Sequence, residues 1–281
     1  MRRMRLNEIR RYSTVIRKHI IEETYCAQSG HPGGSLSCAD IIVVLYFVKM
    51  RIDAKKPRWE DRDRFVLSKG HCTPALYAAL AEKGFFPVED LSGFRDIDSY
   101  LEGHPSMDCV PGVDMSTGSL GQGISAAVGM AIAGKLDKKD YYVYSILGDG
   151  EIQEGQVWEA LMSAAHYKLD NLITFLDYNR LQIDGNIVDV MSPEPIADKF
   201  KSFGWEVISI NGHEHEQIIN AIDQAKEIKG KPIMIIADTI KGKGVSFMEN
   251  NAAWHGSPPN KEQRDKAMEE LDKMLKEMEG R

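Results

Sequence analysis

The chain has 281 residues, 43% of them hydrophobic, enough to bury a sizeable core as one large α/β domain or two small ones. Its net charge of −7 at pH 7 argues against a general nucleic-acid or membrane surface, which would need clustered positive charge. Cys26, Cys38, Cys72 and Cys109 show no paired metal-ligand spacing, and the basic start at residues 1–5 leads into Arg10, Arg11, Arg17 and Lys18 rather than an apolar stretch. A reducing, cytoplasmic setting is therefore expected.

Leu6, Ile9, Ile16 and Ile20 recur at helical spacing, which predicts an opening amphipathic helix that ends near Ser29-Gly30. A polar loop over residues 31–35 follows, then a buried helix over 39–48 and a short strand over 64–68 that delivers Lys69-Gly70-His71 at its carboxyl end. Helix resumes over 73–82. Residues 93–123 are rich in Gly, Pro, Ser and Asp, with little periodicity, and a stretch of that length is usually functional or disordered. Beyond it, helices over 124–136, 154–167 and 214–228 alternate with strands over 142–147, 172–177, 206–210 and 232–237. That alternation predicts an α/β fold with a mostly parallel sheet and helices on both faces. Residues 261–281 read as a C-terminal amphipathic helix, with Met268, Leu271, Leu275 and Met278 on one stripe, packed on the same unit as residues 1–260.

Two apolar strands, 142–147 and 172–177, end next to Gly148-Asp149-Gly150 and Asn179. Open α/β sheets bind ligands at the carboxyl ends of their strands. Asp149 offers an anionic oxygen and Asn179 a neutral one, while Gly150 admits a phosphate to the backbone. Mg²⁺ suits so sparse an oxygen set because it takes its remaining ligands from water and phosphate. The bland alternative is a turn in which Asp149 caps the next helix. Four of the eight histidines also sit beside glycine in loops: His31, His71, His104 and His255. Glycine lets a ligand approach, and histidine can donate, accept or carry a proton. The glycine-rich run at 116–123 lacks the preceding strand of a dinucleotide fingerprint and is not read as one.

Taken together, Ser29-Gly30-His31-Pro32-Gly33, residues 68–71, Gly103-His104-Pro105, residues 117–123, residues 148–155, Asp177-Tyr178-Asn179 and His255-Gly256-Ser257-Pro258 resemble the N-terminal, diphosphate-binding domain of transketolase. The likeness runs from about residue 9 to residue 260. It implies a thiamine-diphosphate-binding fold and a transferase moving a two-carbon ketol unit from a ketose phosphate to an aldose phosphate, as in the pentose phosphate pathway. It further implies that Asp149, Asn179 and the carbonyl of Leu181 hold Mg²⁺, that His71, Gly150, Asn179 and His255 bind thiamine diphosphate, and that Gly118, Ser119 and Leu120 lie along its rings. His31, His104 and His255 would face the sugar, and Glu154 would be a buried acid linking the active sites of a dimer.

Family members in one chain are more than twice this length, so the resemblance implies a partner chain carrying the pyrimidine-side domain, two copies of each, with neither nucleic acid nor membrane involved. Tyr178 and the loop Lys241-Gly242-Lys243-Gly244 depart from many relatives; those lysines read either as ordinary solvated loop residues or as help with anionic charge, and they are left outside the site. The alternatives are another thiamine-diphosphate synthase, of the dihydroxyacetone or deoxyxylulose-phosphate type, and a non-catalytic cofactor-binding scaffold.

Overall fold

In chain order the strands are β1 (Arg64–Leu67), β2 (Val143–Gly148), β3 (Leu172–Tyr178), the short β4 (Leu181–Gln182) and β5 (Gly185–Asn186), β6 (Glu206–Asn211) and β7 (Ile233–Asp238). This computed structural model describes residues 6–279; the basic start at residues 1–5 lies outside them. Strands β1, β2, β3, β7 and β6 lie side by side in that order, all parallel, while β4 and β5 form a separate antiparallel pair. The helices are α1 (Leu6–Cys26), α2 (Pro32–Val44), α3 (Thr73–Lys83), α4 (Gln122–Leu136), α5 (Gly155–His166), α6 (Ile187–Met191), α7 (Ile196–Ser202), α8 (His215–Glu227) and α9 (Lys261–Glu279).

Successive strand residues point to opposite faces, and both faces are covered. On β3, Ile173 and Phe175 join a core shared with α1, α2, α3 and α8, whereas Leu172 and Leu176 join a second core shared with α4, α5 and α7. Ile233 and Ile235 of β7 divide from Met234 and Ile236 in the same way. Each such side chain contributes about 1.5–3 kcal/mol on full burial. This is why the strands read as unbroken apolar runs, the pattern of a sheet buried on both sides.

The largest departure from the sequence reading is α2. It begins at Pro32, so residues 32–35 are helical and not a polar loop, and its tail continues as a π-turn over Leu45–Lys49. Every residue of α2 is buried. A helix wrapped on all sides shows no amphipathic stripe, so periodicity could not reveal its start, although proline at the first turn is a recognised signal. Residues 94–121 are irregular, as their composition predicts. The C-terminal helix α9 packs on this same chain, burying Ala267 and Leu271 in the core that α1 lines.

Candidate cofactor cleft

The register of the sheet builds the site. Gly148 pairs with Asp177 and Tyr178 with Asp238, so β2, β3 and β7 end level with one another. Asp149, Asn179 and Lys241 therefore leave adjacent strands at one edge, and Lys69 and His71 join them from the end of β1. A cleft of about 320 Å³ opens there, lined among others by His31, His71, Asp149, Asn179, Lys241 and His255. Gly118, Leu120, Gly150, Glu154 and Leu181 line it as well.

Its floor is a buried ion pair. Asp177 is fully buried and pairs with Lys69, itself 2% exposed. The same carboxylate accepts from Ser37 Oγ (2.5 Å), from Asn179 Nδ2 (3.3 Å) and from the hydroxyl of Thr239. Lys69 also donates to the carbonyl of Gly34 at 3.0 Å. Burial alone would lower the Lys69 ammonium, but the charge of Asp177 carries it well above its ordinary range. Asn179 is thus oriented by its amide nitrogen, while its Oδ1 accepts from the backbone N–H of Leu181 at 3.1 Å.

Asp149 is 2% exposed, and its Oδ1 accepts from Gly150 N–H at 2.9 Å. Burial, with the nearby charge of Asp177, pushes its carboxyl up to about 7. A buried carboxylate held that high is short of positive charge. One carboxylate, one amide and a neighbouring backbone carbonyl match the donors Mg²⁺ prefers when phosphate completes the shell. Among the described residues no group of three or more His, Cys, Asp or Glu is arranged to hold a metal by itself.

The opposite wall is basic. The rings of His31, His71 and His255 form a triangle with centroids 5.1, 5.3 and 5.6 Å apart. Lys241, 2% exposed, places Nζ 2.9 Å from His255 Nδ1. The ammonium donates, so Nδ1 accepts and neutral His255 carries its proton on Nε2. Burial and the charge of Lys241 press His255 down to about 3, and burial with the charge of His71 presses His31 to about 4. Both rings are therefore neutral near pH 7, hydrogen-bonding groups and not stores of a proton, which refines the role the sequence suggested. His31 Nδ1 is buried with no partner in the protein, as expected of a group awaiting a ligand. Burial and the charge of Lys69 lower Lys241 to about 8.

Glu154 is exposed on this chain; the buried acid of the turn is Glu151, whose carboxylate accepts from Ser68 Oγ (2.5 Å), Gly121 N–H (2.9 Å) and Gly148 N–H (3.0 Å) and so ties three site loops together. Ser119 is exposed and does not line the cleft, whereas Gly118 and Leu120 do. Lys241 is no solvated loop lysine; only Lys243 fits that description, pairing with Glu249 at 3.2 Å. His104 stands outside the lining, its ring against Gly118, where an added Cβ would come within 2.8 Å of His104 Cδ2. Lys69 and Asp177 are the functional residues the sequence reading passed over. Both stand in stretches that carry the resemblance, residues 68–71 and Asp177-Tyr178-Asn179, and each is a charged residue at the end of an apolar strand.

An open parallel sheet with a metal-ready carboxylate and a basic wall at its carboxyl edge defines an α/β protein built for an anionic, metal-linked cofactor. Residues 9–273 match the family described as transketolase, thiamine diphosphate binding domain, and the chain belongs to that family. It is 49% identical over 266 residues to the 6-deoxy-6-sulfo-D-fructose transketolase subunit SqwG of Clostridium sp. (strain MSTE9), covering 95% of this chain and 97% of that one. It is 46% identical to an apulose-4-phosphate transketolase subunit of Phocaeicola vulgatus, covering 94% and 93%. Against the transketolase of Homo sapiens the identity is 44%, over 89% of this chain but 40% of the relative. The crystal structure of Campylobacter jejuni transketolase superposes with a TM-score of 0.91 at 37% identity, covering 96% of this chain and 43% of that one. The chain thus spans less than half of the single-chain enzymes and nearly all of the relatives named as subunits.

Proposed function

We propose that this chain is the diphosphate-binding subunit of a two-chain, Mg²⁺-dependent transketolase that moves a two-carbon ketol unit from a ketose phosphate to an aldose phosphate, the chemistry of the pentose phosphate pathway. The observation that carries the reading is the convergence of four strand ends on one cleft, with Asp149 and Asn179 on one side and Lys241, His71 and His255 on the other. The first pair suits a divalent cation. The second set suits the diphosphate of a thiamine cofactor.

Thiamine diphosphate, when bound, supplies the electron sink that lets the carbon–carbon bond of a ketose break. Asp149, Asn179 and the carbonyl of Leu181 would hold Mg²⁺ as a template for the diphosphate, Lys241 would offset its remaining charge, and His71 would hydrogen-bond to it. Gly118 and Leu120 form the wall along its rings. His255, with Nδ1 occupied by Lys241, presents Nε2–H as a fixed donor. His31 offers a neutral imidazole that can donate to a developing alkoxide or accept from a hydroxyl. His104 approaches from the rim.

Glu154 lies exposed at the lip, where a second chain would have to cover it for the buried role the resemblance assigns. The same lip carries exposed Ile183. We assign the remaining enclosure to a partner chain bearing the pyrimidine-side domain, two copies of each, in the cytoplasm. The test is ketol transfer from xylulose 5-phosphate to ribose 5-phosphate with thiamine diphosphate and Mg²⁺, by this chain alone and with the candidate partner. 6-Deoxy-6-sulfofructose and apulose 4-phosphate, after the names of the two subunit relatives, extend the donor panel. Activity only in the mixture supports the reading; activity of this chain alone would refute the need for a partner, and none with any donor would refute the transferase.

A further inference from the structure

Lys241 is held in the cleft by a loop whose backbone is gripped from behind. Leaving β7, Ile240 N–H donates to His213 Nε2 at 2.9 Å. The carbonyl of Lys241 accepts from Asn250 N–H at 3.0 Å, and Gly242 N–H donates to the carbonyl of Gly33 at 2.9 Å. The carbonyl of Lys243 accepts from Arg17 Nε–H at 2.9 Å. Gly242 has φ +78°, and a Cβ there would lie 2.3 Å from the carbonyl oxygen of Met248, so the turn admits only glycine.

The grip at Ile240 and the grip at Lys243 meet in one side chain. Because Nε2 of His213 accepts, its proton is on Nδ1, which faces Asp40 Oδ2 at 2.8 Å. Arg17 donates to the same carboxylate through two bonds, 3.0 and 2.6 Å. His215 Nε2 lies 3.4 Å from Asp40 Oδ1 and 2.8 Å from Ser13 Oγ. Asp40 and Arg17 are both buried, and neither lines the cleft, nor do His213 and His215. Burial works to raise Asp40, yet Arg17 and the two histidine bonds hold it well below the usual carboxylate range. It is therefore a permanent anion around which two cationic or polarised groups are fixed, and each of those groups fixes one end of the short segment carrying Lys241.

We propose that Asp40, acting through His213 and Arg17, is a positioning centre for Lys241, setting where its ammonium meets the anionic ligand of the cleft. This rests on the reading of the cleft as a diphosphate site. The centre touches no ligand itself. Its effect is to remove conformational freedom from residues 240–243, so that binding does not have to order them. Loosening one grip leaves the ammonium in the site but unplaced.

The test is a double-mutant cycle on the full-length chain mixed with its candidate partner, reading the affinity for thiamine diphosphate with Mg²⁺ by calorimetry. His213→Ala is expected to weaken binding about 10- to 100-fold, the size of loss usual when a residue that orients a ligand-binding group is removed. His213→Gln, whose amide can both accept from Ile240 and donate to Asp40, recovers most of it. Combined with Lys241→Met, the His213→Ala loss should not multiply, because the two act as one unit. In parallel, amide hydrogen exchange across 240–244 should accelerate in His213→Ala while the amides of β3 keep wild-type protection. Multiplying losses, no rescue by glutamine, or unchanged exchange in the loop would each overturn the proposal. Failure of the wild-type chain to bind thiamine diphosphate with the candidate partner present would instead overturn the reading of the cleft, and the exchange measurement alone would then decide whether the grip exists.

Discussion

Asp177→Asn separates the stability of the cleft floor from its function. The substitution leaves the Lys69 ammonium, 2% exposed, facing a neutral amide. Breaking a buried ion pair from one side costs about 3–5 kcal/mol, since the remaining charge is neither solvated nor paired. Replacing both partners by apolar residues of similar size removes that cost, so Lys69→Met with Asp177→Leu should recover most of the lost stability. What it cannot restore are the acceptors used by Ser37 Oγ, Asn179 Nδ2 and the Thr239 hydroxyl. Each buried donor left unmet costs about 1–3 kcal/mol, although Ser37 retains the carbonyl of Gly34 at 2.9 Å. The double variant is therefore expected about 2 kcal/mol or more below wild type in urea unfolding at pH 7, yet above the single variant, which also leaves an ammonium buried without a counter-charge. Its affinity for thiamine diphosphate with Mg²⁺ should stay well below wild type, because leucine offers Asn179 Nδ2 no acceptor. A single variant within about 1 kcal/mol of wild type, or a double variant no more stable than the single, would refute this account of the floor.

Lys241, lowered to about 8 by burial and the charge of Lys69, gives the cleft a basic pH limb. Binding an anion favours the ammonium, so affinity is insensitive to this group below pH 8 and falls above it by up to about tenfold per pH unit; calorimetry from pH 7 to 9.5 should show the limb in wild type and not in Lys241→Met. Glu23, buried with neither carboxyl oxygen partnered, has its pKa held well above the ordinary value by burial. Stability that depends on its neutral form is full below the unfolded value of about 4.3 and drains away as pH rises toward the folded one. Glu23→Met should therefore be more stable than wild type at pH 7 by about 1–3 kcal/mol, with the advantage shrinking toward pH 4.5 in thermal or urea melts. Asp149→Ala should abolish the Mg²⁺ dependence of cofactor binding, seen as a titration no longer altered by chelator. His31→Ala should leave cofactor affinity nearly unchanged and lower turnover of the two-chain enzyme by about 10²–10⁴.

The strands, and the edge at which the site lies, were legible because their signals are local. Apolar runs of strand length, each ended by glycine or a polar residue, mark β2, β3 and β7, and a parallel sheet places its ligands where such strands finish. Helices α1, α8 and α9 were legible through their one-sided stripes, whereas α2, buried all round, hid its first turn inside what reads as a polar, glycine-rich loop. Asp149, Asn179, His31, His71 and His255 stood out as polar residues in small-residue loops, and the fold brings all five to one cleft.

The sequence alone determined the class of fold, the strand ends that carry the site and the family to which the chain belongs, since each follows from short-range pattern and motif. Tertiary structure decided which charges are buried and what each one faces. Lys241 and Lys243 stand two positions apart in one glycine-spaced loop with identical local signals, yet one is enclosed beside His255 and the other pairs with Glu249 at the surface. Asp177 is a floor anion only because Lys69, Ser37, Asn179 and Thr239 arrive from separate segments, and Glu151, not Glu154, is enclosed because Ser68 and Gly121 close over it. The charge state and reach of a side chain depend on the solvent removed and the partners supplied by residues distant in the chain, and no window of neighbouring sequence contains that information.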